Sequence, residues 1–225
     1  MKLISWLALM PGSGAMTITV NLCAELAAAN KSVFCLGFGE HGHLRSWLQP
    51  ESLERVDGFT VADSRFGFSW TLMPETVGSE ALSNFLHAHA EQYEYVFSFG
   101  WPETPEAQAD WLRTADWLGL CVNLKAEDVL PETAAALHCL RDLGSREVDL
   151  LIPNQVNPLD WEHNAEVLLG LSEQVGSEKM AAMIPFCERI HDLPATGSTV
   201  WELSQANLQI PFRQLLQYLP LDQQA

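Results

Sequence analysis

Positive charge is what this sequence has least of. Its 225 residues hold 12 Lys plus Arg against 29 Asp plus Glu, a net charge of −17, and no basic residue occurs from Leu3 to Asn30. Nucleic acids and anionic membrane surfaces are held by clustered Lys and Arg, so DNA binding and membrane attachment are both disfavoured. Long hydrophobic runs are missing too. Stretches such as Leu3 to Met10 are far shorter than the roughly 20 apolar residues that span a bilayer, and no cleavable leader is recognisable. A cytoplasmic, soluble protein is the expectation. Five cysteines, Cys23, Cys35, Cys121, Cys139 and Cys187, are widely spaced with apolar neighbours and no CxxC pair. That pattern argues against a disulfide framework or a zinc site and predicts reduced core residues. There is no repeat, low-complexity tract or Gly-x-Ser-x-Gly nucleophile elbow, which removes most support for hydrolase chemistry.

Apolar residues make up 48% of the chain, and short apolar runs alternate with longer amphipathic stretches. This predicts an α/β fold, with a mainly parallel twisted sheet flanked by helices, in one domain spanning residues 1–225. Strands are expected at Leu3 to Leu9, Lys31 to Phe38, Ser69 to Met73, Tyr95 to Phe99, Trp117 to Asn123, Val148 to Pro153 and Met180 to Pro185. Helices are expected at Thr17 to Ala29, Ser79 to Gln92, Pro131 to Leu143 and Trp161 to Val175. Trp201 to Leu219 reads as a closing helix interrupted near Pro211.

Between the first strand and the first helix lie Pro11, Gly12, Ser13 and Gly14. A glycine-rich strand-to-helix turn gathers backbone N–H groups and a helix N-terminus around one point, the geometry that cradles a phosphate. Any tight connection of this kind also needs glycine, so the turn alone does not decide between the two.

The surrounding run does more. Met10-Pro-Gly-Ser-Gly-Ala-Met-Thr-Ile-Thr-Val-Asn-Leu-Cys23, followed by Leu26 to Phe34, resembles the N-terminus of the ParA/MinD family of deviant-Walker P-loop ATPases. That family carries a Lys-Gly-Gly-x-Gly-Lys-Thr-Thr loop, an Asn-Leu helix and a Gly-Lys-x-Val strand entrance. Ala115-Asp116 ahead of an apolar strand, Ile152-Pro-Asn154, Ile184-Pro185, Leu193-Pro194 and Gly197-Ser-Thr-Val200 extend the likeness over nearly the whole chain. The resemblance implies a P-loop NTPase (ParA/MinD-like) architecture, with Asn154 in the place of an adenine-reading Asn.

Matched to that loop, the signature lysine falls on Met10, the Walker lysine on Ala15 and the magnesium-binding hydroxyl on Met16, while Gly12, Gly14 and Thr17 are kept. A cradle without lysine keeps only backbone donors and a helix dipole worth about 0.3–1 kcal/mol. The family's Asp-x-Asp-x-Gln-Gly segment is matched by Gly37-Phe-Gly-Glu-His-Gly42, and its later metal-facing carboxylate is matched to Ser98, ahead of Phe99-Gly100-Trp101-Pro102. The resemblance therefore implies a degenerate, non-hydrolysing member with a vestigial nucleotide site at Gly12, Ser13, Gly14, Ala15, Met16, Thr17 and Asn154, and with no catalytic residue, metal or cofactor. Such a protein would act through protein contacts as an accessory or positioning factor in partition, polar assembly or secretion. Its partners would be an intact relative, an assembly component or a second copy. The alternative is an ATPase that still binds ATP and magnesium through a variant loop.

Other candidates rank below these. Glu40, His41 and His43 lie where a metal or acid–base site would sit in an α/β sheet, yet a polar loop is the plainer reading. His87 and His89 point in different directions on a helix and read as surface residues. Of the eight tryptophans, most are expected to pack, and Trp101 beside Pro102 is the candidate contact with a partner.

Overall fold

The computed structural model describes residues 1–8, 12–39, 42–50, 52–56, 59–74, 76–89, 92–100, 105–144 and 147–221, with the backbone alone for 42, 56, 79, 89 and 105–107. The first apolar run forms strand β1 (Lys2–Ala8), buried through its middle, as a strand covered on both faces requires. The elements that follow are α1 (Ala15–Ala28), β2 (Val33–Phe38), α2 (Gly42–Leu48), β3 (Ser52–Val56), β4 (Phe59–Asp63), β5 (Ser69–Met73), α3 (Ser79–His89), β6 (Tyr95–Phe99) and α4 (Pro105–Thr114). After them come β7 (Trp117–Asn123), α5 (Val129–Asp142), β8 (Leu150–Asn154), α6 (Trp161–Val175), α7 (Glu188–His191), α8 (Leu193–Thr196) and α9 (Ala206–Tyr218).

Among the described residues eight strands form one sheet in the order β3-β4-β5-β2-β6-β1-β7-β8. Strands β5, β2, β6, β1, β7 and β8 are parallel, and β4 runs antiparallel to both β3 and β5. Strand alternation divides the core in two. Ile4, Trp6, Cys35, Tyr95, Phe97, Phe99, Trp117 and Ile152 face α1, α2 and α9. Leu3, Leu7, Phe34, Leu36, Val96, Leu118, Leu120 and Leu151 face α3 to α6.

Helix α1 is buried almost all round, because the sheet covers one side and the C-terminal segment covers the other. Asn21, fully buried, makes that second contact specific. Its side-chain oxygen accepts the Val200 backbone N–H at 2.6 Å, its amide donates to the Thr17 carbonyl at 2.8 Å, and its own carbonyl accepts the Trp201 indole N–H at 2.7 Å. Trp47 of α2 donates to the Ser198 carbonyl at 2.8 Å. The Gly197–Val200 motif is thereby fastened to two helices.

Several expectations are corrected. Residues Met180 to Pro185 form no strand; they run beside β8 through isolated bridges at Leu151–Met180 and Val156–Pro185. The closing helix breaks not at Pro211 but earlier, between a 3₁₀ turn at Val200–Glu202 and α9, which continues through Pro211. An interior proline costs roughly 3 kcal/mol, and burial of Leu208, Phe212 and Leu215, at about 1.5–3 kcal/mol per side chain, offsets it. Cys23, Cys35 and Cys121 are buried, but Cys139 is exposed and Cys187 half-buried. Burial pushes the Cys23 and Cys121 thiols well above the usual range, so both stay protonated. Elements α2, β3, β4 and α4 were not foreseen from sequence. No helix among the described residues is long and apolar enough to cross a membrane.

Two outcomes follow. Asn21→Ala strands the buried Val200 N–H and should cost about 1–3 kcal/mol in urea unfolding; unchanged stability would contradict the bridge. At the other end of the sheet the Lys31 ammonium, 2.9 Å away, and the Ser32 N–H, 3.0 Å away, hold the Glu94 carboxyl below its ordinary 4.5. Glu94 therefore contributes stability that is present above pH 4.5 and lost as pH falls through its lower folded value. Glu94→Gln should flatten that acid limb in pH-dependent thermal melts.

Candidate functional site: the glycine loop at the end of β1

Parallel strands deliver their C-terminal ends to one edge of the sheet, and the glycine loop sits there. Gly12 and Gly14 have φ of +75° and +86°, conformations that favour glycine, and Gly14 caps α1 without a side-chain hydrogen bond. The loop is held from outside itself. Asn154, at the end of β8, donates an amide N–H to the Ser13 carbonyl at 2.8 Å, and Gln155 donates to the Gly12 carbonyl at 2.6 Å. A Cβ on Gly14 would collide with the Asn154 amide.

The fold thus brings together Gly12, Ser13, Gly14, Ala15, Met16, Thr17 and Asn154. Met10, Glu40, His41, Trp101 and Pro102 lie outside the described residues. His43 and His87 are exposed. Among the described residues no group of three or more His, Cys, Asp or Glu side chains is placed to hold a metal ion.

The first two side chains of α1 are apolar. Ala15 is buried and Met16 packs against the α1-side core. Beside them is a cavity of about 70 Å³ lined by Gly14, Thr17, Asn154, Ile184, Phe186 and Phe212, among others. Phe186 of that lining carries a cation on its ring: the Lys125 ammonium lies 2.9 Å from the ring centroid, and the Lys125 backbone N–H is fixed by the Asn123 side-chain oxygen at 3.0 Å.

Near the loop the ends of the sheet strands carry aromatic rings. Register pairs Gly37 of β2 with Phe99 of β6. A Cβ on Gly37 would stand 2.5 Å from the Phe99 ring and 2.7 Å from Leu72, so the absent side chain makes the room that the ring takes. Gly119 leaves similar room for Trp6. Ser98, the residue matched to the family's carboxylate, is fully buried on the opposite face, donating to the Ser5 hydroxyl at 2.8 Å, which also accepts the Trp111 indole N–H at 3.0 Å. Phe99 is the strand-end residue that turns toward α1.

No protein-family model matches the chain, and no curated protein matches it by sequence. Solved structures do. An ATP-bound variant of McdA from Cyanothece has a TM-score of 0.81 at 15% identity, over 100% of this chain and 98% of that one. A plasmid partition protein from Borrelia burgdorferi bound to AMPPNP has a TM-score of 0.74 at 12% identity, over 96% and 97%. MinD from Aquifex aeolicus has 0.72 at 16% identity, over the whole of both chains. This chain has the ParA/MinD fold.

Within that fold the loop contains no lysine, α1 opens with Ala15 and Met16, and Gly37 pairs with Phe99 near the ends of β2 and β6; these side chains offer neither a positive charge nor a carboxylate. Sequence reading missed Gln155, Phe99 and the Lys125–Phe186 pair. Only Phe99 left a signal there, since the strict alternation of β6 would have placed it on the face opposite Ser98.

The Gly37–Phe99 fit is testable. Gly37→Ala should lower stability by about 1–3 kcal/mol through overpacking, measured by urea unfolding, and adding Phe99→Leu should recover much of that loss. Full tolerance of Gly37→Ala would mean that the ring is not confined there.

Proposed function

We propose that this chain is a non-hydrolysing ParA/MinD-like protein that acts through protein contacts, as an accessory or positioning factor in partition, polar assembly or secretion. The observation that carries the reading is the Gly37–Phe99 pair. Phosphoryl transfer rests on positioned charge around the phosphates and their metal, and a buried phenyl ring supplies none. The loop supports it, because it contains no lysine and its helix begins with the buried methyl of Ala15. Partners of the matching kind are an intact relative, an assembly component or a second copy of this chain.

A second reading has one observation in its favour. Lys125 holds a cation against Phe186, a residue of the cavity beside the loop, so a variant ATP-binding site built on Gly12, Gly14, Thr17 and Asn154 would recruit charge from the segment after β7 instead of from the loop.

Calorimetric titration of the wild type with ATP and magnesium, beside Ala15→Lys, separates the two. The proposal expects no saturable heat and no phosphate release from the wild type. Micromolar binding with turnover would overturn it, and loss of that binding in Lys125→Ala would establish the second reading.

A further inference from the structure

Helix α6 presents its largest apolar side chains to water. Leu159, just before it, is 92% exposed, Trp161 is 71% exposed and Leu169 is 62% exposed. Trp161, Ala165 and Leu169 recur every four residues and so share one face, about 12 Å from end to end. The rest of the helix cannot turn this face inward. Asn164, Val167 and Leu171 are already buried in the core, and Gly170 lies so close to α5 that a Cβ there would stand 2.8 Å from Leu130. The apolar stripe is therefore a fixed outer surface of a packed helix.

Its charged edge is of one sign. Asp160 precedes the helix, Glu162, Glu166 and Glu173 flank the stripe at helical spacing, and α6 contains no Lys or Arg. We infer that the outer face of α6 is a docking site for a basic amphipathic helix of a partner protein, its apolar residues meeting Leu159, Trp161 and Leu169 and its Lys or Arg meeting the carboxylates. The inference deepens the proposed protein-contact role, on which it rests, without depending on the state of the glycine loop. Charge complementarity selects this occupant. A second copy would bring the same carboxylates face to face across a two-fold axis, and anionic lipid or nucleic acid would meet them as well. Three exposed side chains offer on the order of half the roughly 800 Å² that each partner contributes to a standard interface, so the contact is weak and reversible. Trp161 supplies the central aromatic anchor that such contacts favour.

The test uses the full chain and a labelled synthetic helix of about 16 residues, long enough to form on contact. Leu is placed at positions i, i+4 and i+7, with Lys on the flanks. A scrambled peptide of equal composition and a version with Glu in place of Lys are the controls. Fluorescence anisotropy should give micromolar binding of the Lys–Leu helix, at least about tenfold weaker for both controls and for the double variants Trp161→Ser/Leu169→Ser and Glu162→Lys/Glu166→Lys. Amide exchange should slow over residues 159–173. All four changes are at exposed positions, so thermal melts should match the wild type. No binding of the Lys–Leu helix, equal binding of the scrambled peptide, or binding unchanged in both double variants would overturn the inference. So would self-association abolished by Trp161→Ser/Leu169→Ser, or adsorption to phosphatidylglycerol vesicles through the same face. ATP binding with turnover by the wild type would instead overturn the non-hydrolysing reading and leave this surface standing.

Discussion

Strands β1, β2, β6 and β7 send side chains into both hydrophobic clusters, and that two-sided burial is the constraint on which the remaining structure depends. A parallel strand cannot leave one face wet, so helices must cover both, and the chain must cross between strand ends to supply them. The crossings put every loop that follows a parallel strand on one edge. The glycine loop, the ends of β2 and β6, and Asn154 at the end of β8 meet there for that reason. In the same way α6, which follows the edge strand β8 and packs against α5, keeps one side to solvent.

The same constraint explains the character of the loop's surroundings. In a nucleotide-hydrolysing site, charge at strand ends is tolerated because ligand and metal compensate it. Here the strand ends carry Gly37 and Phe99, and the layer below adds Trp6 against Trp117 at 4.8 Å between ring centroids. These rings extend the core to the edge of the sheet. A carboxylate introduced beside them would be desolvated without a counter-ion, so the aromatic layer and the lysine-free loop are mutually consistent. Loop carbonyls that still need donors take them from Asn154 and Gln155.

Much of this was legible before any coordinates. Continuous apolar runs such as Tyr95–Phe99 and Trp117–Asn123 mark buried parallel strands with their bounds intact, because a strand covered on both faces leaves no ambiguity of pattern. The hairpin of β3 and β4 was not legible. Most of its described residues, including Glu54 and Arg55, are half-exposed or exposed, and their strand character comes from pairing, β4 to β5 and β3 to β4, rather than from their own apolarity. Pro211 misled in the other direction: local propensity favoured a break, and burial of Phe212 and its neighbours outweighed it. At the site, the identities at 10, 15 and 16 could be read directly, whereas the face that Ser98 takes could not, because a shift of one residue along a strand reverses the face.

What the sequence determined by itself was therefore the inventory: the α/β alternation, the glycine loop, the absence of lysine from it, and the sign of the surface charge. These are properties of residue identity and spacing, which no folding event alters. Only the tertiary structure decided that Asn154 clamps the loop, that Phe99 fills the space left by Gly37, that Asn21 ties α1 to Val200, and that Trp161 and Leu169 stand outside the core. Each of those is a contact between residues tens to hundreds of positions apart, or the lack of one, and depends on strand order and helix rotation that local pattern does not encode.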